Sequence, residues 1–78
     1  MANTRAYILV ETEVGHVERV LAGLKRAPGV TFADSVAGPY DIIAVIEARD
    51  LQAVGQFVTE HLHAIGGVTR TVTCLAMN

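Results

Sequence analysis

The sequence predicts an α+β fold of order βαββαβ, with four strands in one antiparallel sheet and two helices on one of its faces. Three observations predict it. The chain repeats itself: shifted by thirty-eight places, Ile8 falls on Ile46, Val20 on Val58, Leu24 on Leu62, and Gly29-Val30-Thr31 on Gly67-Val68-Thr69. Each half then reads as apolar strand, amphipathic helix, glycine stop and second strand, so a βαβ unit is written twice. The 78 residues make a single domain, 1–78, with no room for a separate catalytic one. Finally, strand–helix–strand crossovers are right-handed, and two of them joined by a hairpin give a sandwich with spatial strand order 4-1-3-2. This is the ferredoxin-like arrangement.

Taken in order, residues 5–11 form the first strand, apolar on both alternating sides, with Ala6, Ile8 and Val10 on one and Tyr7 and Leu9 on the other. Thr12 offers an N-cap hydroxyl, and Glu13 suits the positive end of a helix dipole. Val14, Val17, Val20, Leu21 and Leu24 then recur at helical spacing until Lys25-Arg26 and Pro28-Gly29 end the helix. Residues 30–37 alternate loosely and carry Asp34 and Ser35, which suits an edge strand. Gly38-Pro39 turns the chain into the most apolar strand, residues 40–48, which belongs in the sheet centre beside the first. Asp50 caps the second helix. Its stripe is Leu51, Val54, Phe57, Val58, Leu62 and Ile65, and Gly66-Gly67 stops it. Residues 68–76 close the sheet, with Thr69, Thr71 and Thr73 on one face and Val68, Arg70, Val72 and Cys74 on the other.

Composition sets the class. A chain this small buries only ~60–65% of its unfolded surface, yet 51% of its residues are hydrophobic, so the surplus should face a partner. The longest apolar run, residues 42–46, is far too short to span a bilayer, and the expected partner is a second copy packed sheet to sheet. The first residues lack the pattern of a signal peptide, and one cysteine cannot form an internal disulfide; both favour the cytoplasm. A net charge of −2 with six dispersed basic residues is not the footprint of a direct nucleic-acid binder.

Few residues suggest chemistry. His61 and His63 stand two apart on a helix, about 200° around its axis, and cannot share a metal on one face; with His16 they read as solvated helix-surface histidines. Cys74 reads as a buried structural thiol, and Glu11 and Glu47 as solvated strand ends. No catalytic residue, metal ligand or cofactor is assigned.

One constellation stands out, Gly38, Tyr40 and Asp41 at the hairpin together with the threonine row. Asp41 offers an acceptor for an ammonium group, and the amides around Gly38, Gly66 and Gly67 offer donors for a carboxylate, as a free amino acid requires. A plainer account serves the same residues: Asp41 caps the turn, and threonines are ordinary strand residues.

The stretch 36–43, Val-Ala-Gly-Pro-Tyr-Asp-Ile-Ile, and the ending with Ile65, Gly67-Val68, Thr71 and Thr73 resemble the effector (RAM) domain of the Lrp/AsnC transcription regulators, over essentially the whole of residues 5–76. The resemblance implies the dimeric α/β-barrel type of ferredoxin-like fold, face-to-face dimers, often a ring of four dimers, and amino-acid effectors bound where dimers meet. Carried over by position, it implies Gly38, Tyr40, Asp41, Thr71 and Thr73 as effector residues. Gly66 departs from the family, where proline is common. The chain begins at the first strand of this domain, without the helix-turn-helix that family members carry, so the resemblance implies a stand-alone sensor or a partner for full-length regulators that does not itself bind DNA.

Two other classes share the topology. A small dimeric α/β-barrel enzyme, of monooxygenase or isomerase type, needs a polar cavity between helices and sheet, where this chain places aliphatic residues. An ACT-like regulatory domain pairs sheets edge to edge, whereas the greasy open face here favours stacking.

Overall fold

The computed structural model describes residues 3–77 and follows the expected order: β1 (Thr4–Thr12), α1 (Val17–Arg26), β2 (Val30–Ser35), β3 (Ile42–Ala48), α2 (Leu51–Phe57), a π turn (Val58–Leu62) and β4 (Val68–Leu75). The sheet runs β2-β3-β1-β4, all pairs antiparallel, which is the 4-1-3-2 order read from the opposite edge. Both edges are the strands expected there.

Alternation along β1 divides the molecule. Ala6, Ile8 and Val10 are fully buried against the helices with Ile42, Ala44 and Ile46 of β3. Val20 and Leu24 of α1, Val54 and Phe57 of α2, and Leu62 close this layer from above. On the reverse face the register lines up two apolar rows across all four strands, apart from Asp34 at one end. One is Phe32, Val45, Tyr7 and Cys74; the other is Asp34, Ile43, Leu9 and Val72. Charged pairs frame them, Arg5 opposite Glu47 at one end and Glu11 opposite Arg70 at the other. No described element of the chain covers this face.

The structure corrects several expectations. Helix α1 begins at Val17 with His16 at its N-cap, and Thr12 is the last residue of β1. The strand runs on because Thr12 pairs with Val68 and the next amide, Glu13 N–H, donates to Gly67 C=O at 2.8 Å. Val14 therefore sits on a turn before the helix, wholly exposed and outside the buried stripe. Strand β2 stops at Ser35 and β3 starts at Ile42, so the hairpin is longer than the two-residue turn signal suggested. Leu51 lies in the first turn of α2, ahead of the contact with the sheet, and is 61% exposed.

The second helix does not run unbroken to Gly66. Phe57 and Leu62 are both buried but stand five residues apart, one more than an α-helix places on one face. The chain takes up the difference in a wide π turn, with His63 N–H donating to Val58 C=O at 3.1 Å. Asp50 does cap α2, accepting a hydrogen bond from Ala53 N–H at 2.9 Å. That bond, helped by the neighbouring Arg49 and opposed by desolvation, holds its carboxyl below the usual range. No helix among the described residues is long and apolar enough to cross a membrane.

Candidate functional site

The hairpin between β2 and β3 is closed by Val36 N–H donating to Asp41 C=O at 2.9 Å, and it is tied to β1 by Asp41 N–H donating to Val10 C=O at 2.9 Å. The Asp41 side chain then takes the place of a strand partner. Its Oδ2 accepts from Thr12 N–H at 2.8 Å and from Thr12 Oγ1 at 3.3 Å, satisfying the last amide of β1 where the β1–β3 ladder has ended. The plainer account of Asp41 is thus half right. It ties down a strand end 29 residues away in sequence rather than its own turn. Its Oδ1 makes no hydrogen bond among the described residues, so one carboxylate oxygen is free to accept from a ligand.

Gly38 lies at the exposed tip with nothing within 4 Å of where its Cβ would stand. Tyr40 is half-buried, and with Leu9, Val36, Ala37, Gly38, Pro39 and Ile43 it lines a hollow of about 340 Å³. Leu9 and Ile43 belong to the open face, so the hollow lies at the hairpin end of the two apolar rows.

Thr71 and Thr73 do not join it. They pair with Val10 and Ile8, whose side chains lie on the helix-covered face, so within one chain these threonines and the hollow are on opposite sides of the sheet. Thr69 Oγ1 instead donates to Glu11 C=O at 3.0 Å, across the irregular register near Thr12. What β4 brings to the hairpin is Arg70, whose guanidinium carbon stands 5.8 Å from the centre of the Tyr40 ring. Sequence reasoning missed Arg70 because its attention went to the threonines on either side. The alternation that put Arg70 on the opposite face from them was the available signal.

The remaining candidates disperse. His16 is half-buried rather than solvated: a Cβ on Gly67, where φ is +103°, would stand 2.8 Å from both its Cβ and its Nδ1. Its buried Nδ1 has no partner among the described residues, and its Nε2 lies 3.7 Å from Glu13 Oε1. His61 stacks on Phe57 with ring centres 5.7 Å apart, and His63 is exposed. Cys74 is exposed on the open face, not buried, because no helix lies over that side of an edge strand. A second hollow, of about 190 Å³, lies at the far end beneath Gln56, Glu60 and His61. Among the described residues no three His, Cys, Asp or Glu side chains gather as a metal site.

This geometry can be set against known proteins. The family model of the Lrp/AsnC ligand binding domain matches residues 5–78. The chain belongs to this family. A similar protein is an uncharacterized HTH-type transcriptional regulator of Pyrococcus abyssi, 31% identical over 70 residues that cover 90% of this chain and 44% of the relative. The chain thus spans about half the length of the curated regulators it matches. Homocitrate synthase of Sulfurisphaera tokodaii is 33% identical over 76 residues, which make up 16% of that enzyme. Among solved structures, TTHA0845 from Thermus thermophilus superposes with a TM-score of 0.91 at 29% identity, covering 96% of this chain and 94% of the other. The hypothetical protein PHS023 from Pyrococcus horikoshii does so with a TM-score of 0.88 at 32% identity, covering 96% and 90%. E. coli AsnC shares the fold, with a TM-score of 0.90 at 20% identity over 96% of this chain and 51% of the other. The βαββαβ sandwich of this Lrp/AsnC domain is therefore the family's own, and the curated relatives it matches over about half their length are transcription regulators.

Proposed function

We infer that the chain, as one domain over residues 1–78, is a regulatory module that assembles through its open sheet face and binds a free amino acid at the hairpin end. The observation that carries the reading is the open face itself: two apolar rows, framed by opposite charges, on a domain whose core is complete without them. A second copy packed face to face removes those rows from water. Arginine and glutamate at both ends of the face supply charges for a like partner.

Gly38, Tyr40 and Asp41 hold the effector, with the free Asp41 oxygen taking the ammonium group. Thr71 and Thr73, on the other side of the sheet, reach a ligand only from another copy, which fits binding where dimers meet in a ring of four. A fold neighbour from Neisseria meningitidis was solved as an L-Met complex, so methionine is among the first ligands to try. The module works in the cytoplasm, needs no cofactor, makes no direct contact with nucleic acid or membrane, and mixes with full-length regulators through the same face. We assign it no catalysis, because Val20, Leu24, Val54, Phe57 and Leu62 fill the space between helices and sheet that a barrel enzyme keeps for substrate.

Native mass spectrometry, with and without a pool of free amino acids, tests the reading. Dimers or their multiples that retain one amino acid per chain are expected. Assemblies that retain none reject the effector role, and a monomer at all concentrations rejects the assembly role.

A further inference from the structure

We propose that the second hollow, at the far end of the helix layer, binds a small organic cation, an alkylguanidinium or alkylammonium group, with Glu60 taking its charge. The site is separate from the hairpin, and the inference stands whether or not an effector binds there.

The hollow, of about 190 Å³, opens on the helix-covered side of the sheet, away from the face assigned to a second copy. Ile46, buried on that side of β3, lies at its base, with Ala53 and buried Phe57 of α2 beside it. Gln56, Glu60 and His61 form one exposed rim. The Pro28–Gly29 turn forms the other, held to β3 by Glu47 N–H donating to Gly29 C=O at 3.0 Å. Ala53, Gln56, Phe57, Glu60 and His61 stand at helical spacing, so α2 and the π turn present them on one face. Single π turns recur at functional sites.

Charge sets the sign of the ligand. No lysine or arginine lines the hollow, and its two acidic residues are Glu47 and Glu60. Strand alternation turns the Glu47 side chain to the open face with Val45, which leaves Glu60. The side chains of Gln56 and Glu60 make no hydrogen bond or ion pair among the described residues, so their acceptor oxygens are unspent. An anion brought here meets a carboxylate and no cation, whereas a guanidinium or ammonium gains charge-assisted hydrogen bonds. Ile46, Ala53 and Phe57 offer apolar surface to a short alkyl stem. The volume is below the ~300 Å³ at which ordinary ligand pockets begin, so the occupant is the size of one side chain.

Chemical-shift mapping of the full-length chain titrated with n-butylguanidinium tests this. Amide shifts should saturate and centre on Gly29, Ala53 and residues 56–61. Methylguanidinium, which lacks three methylenes, should bind about tenfold or more weakly, and the uncharged near-isostere n-butylurea likewise. Glu60→Gln should weaken n-butylguanidinium about fivefold or more, and Ala53→Leu, which fills the base, should abolish the saturable shifts while the remaining spectrum stays folded. Arginine blocked at both ends separates the two sources of such a group: binding as tight as n-butylguanidinium assigns the hollow to an arginine side chain of another protein, and much weaker binding assigns it to a free small cation. Shifts that centre elsewhere or never saturate, n-butylurea or methylguanidinium binding as tightly as n-butylguanidinium, or Glu60→Gln binding within about twofold of wild type overturns the inference and leaves the effector reading untouched.

Discussion

The two faces of one sheet behave differently although β1 is apolar on both. Ala6, Ile8 and Val10 have no exposure at all, whereas Tyr7, one residue out of phase, is 39% exposed and Phe32 in the same row 52%. The helices account for the first set. No described element accounts for the second, and leaving such rows in water forgoes about 25 cal/mol for each Å² of apolar surface. On the reading proposed above, the difference separates residues that make the fold from residues that make an assembly, a distinction composition alone leaves blended.

Mutations should respect that line. The largest effect belongs to the covered face: Leu24→Ala or Ile8→Ala empties a fully enclosed position and should cost about 2–5 kcal/mol in urea unfolding. A loss under about 1 kcal/mol would mean that the core boundary is misplaced. On the open face, Val45→Lys puts a charge in the middle of an apolar row. It should dissociate the assembly while the circular dichroism spectrum stays that of the wild type. An unfolded Val45→Lys chain would erase the distinction between the faces.

The site end sharpens the comparison. Gly67→Ala meets both a positive φ and the His16 ring, and should cost about 1–3 kcal/mol. Adding His16→Ala removes the ring but leaves its Cβ 2.8 Å away, so it should recover only part of the steric cost and none of the backbone strain. Asp41→Ala leaves Thr12 N–H without its acceptor and should cost about 1–3 kcal/mol. Asp41→Asn keeps an oxygen for that bond and removes the charge, so it should fold nearly as well as wild type yet bind amino acids more weakly. Equal binding by Asp41→Asn would remove Asp41 from the ligand site. Smallest is the α2 cap. The Asp50 carboxyl is held below its ordinary value by Ala53 N–H, so its contribution is present above the ordinary carboxylate pKa and lost as pH falls through the lowered one. Asp50→Ala should flatten that acid limb slightly, as urea unfolding at a series of acid pH values would read.

The strand order, the sharing of one face by both helices and the Asp50 cap were legible in the sequence because each follows from local pattern or a general handedness rule. What was not legible depends on residues far apart. Thr12 reads as a helix cap until Asp41 is seen accepting its amide. The threonine row was correctly placed on one side of β4, but which side of the sheet that is depends on the register with β1. Cys74 reads as buried because its strand is apolar, and is exposed because its face lacks a cover within the described chain. The π turn needed the knowledge that Phe57 and Leu62 pack on the same layer.

The central claim is that the open face is closed by a second copy. Sedimentation velocity of the wild-type chain over a range of micromolar concentrations, beside Val45→Lys, measures it directly. The account predicts a dimer or a multiple of dimers for the wild type and a folded monomer for the variant. A wild-type chain that sediments as a monomer throughout, or a Val45→Lys chain that assembles as the wild type does, would contradict it.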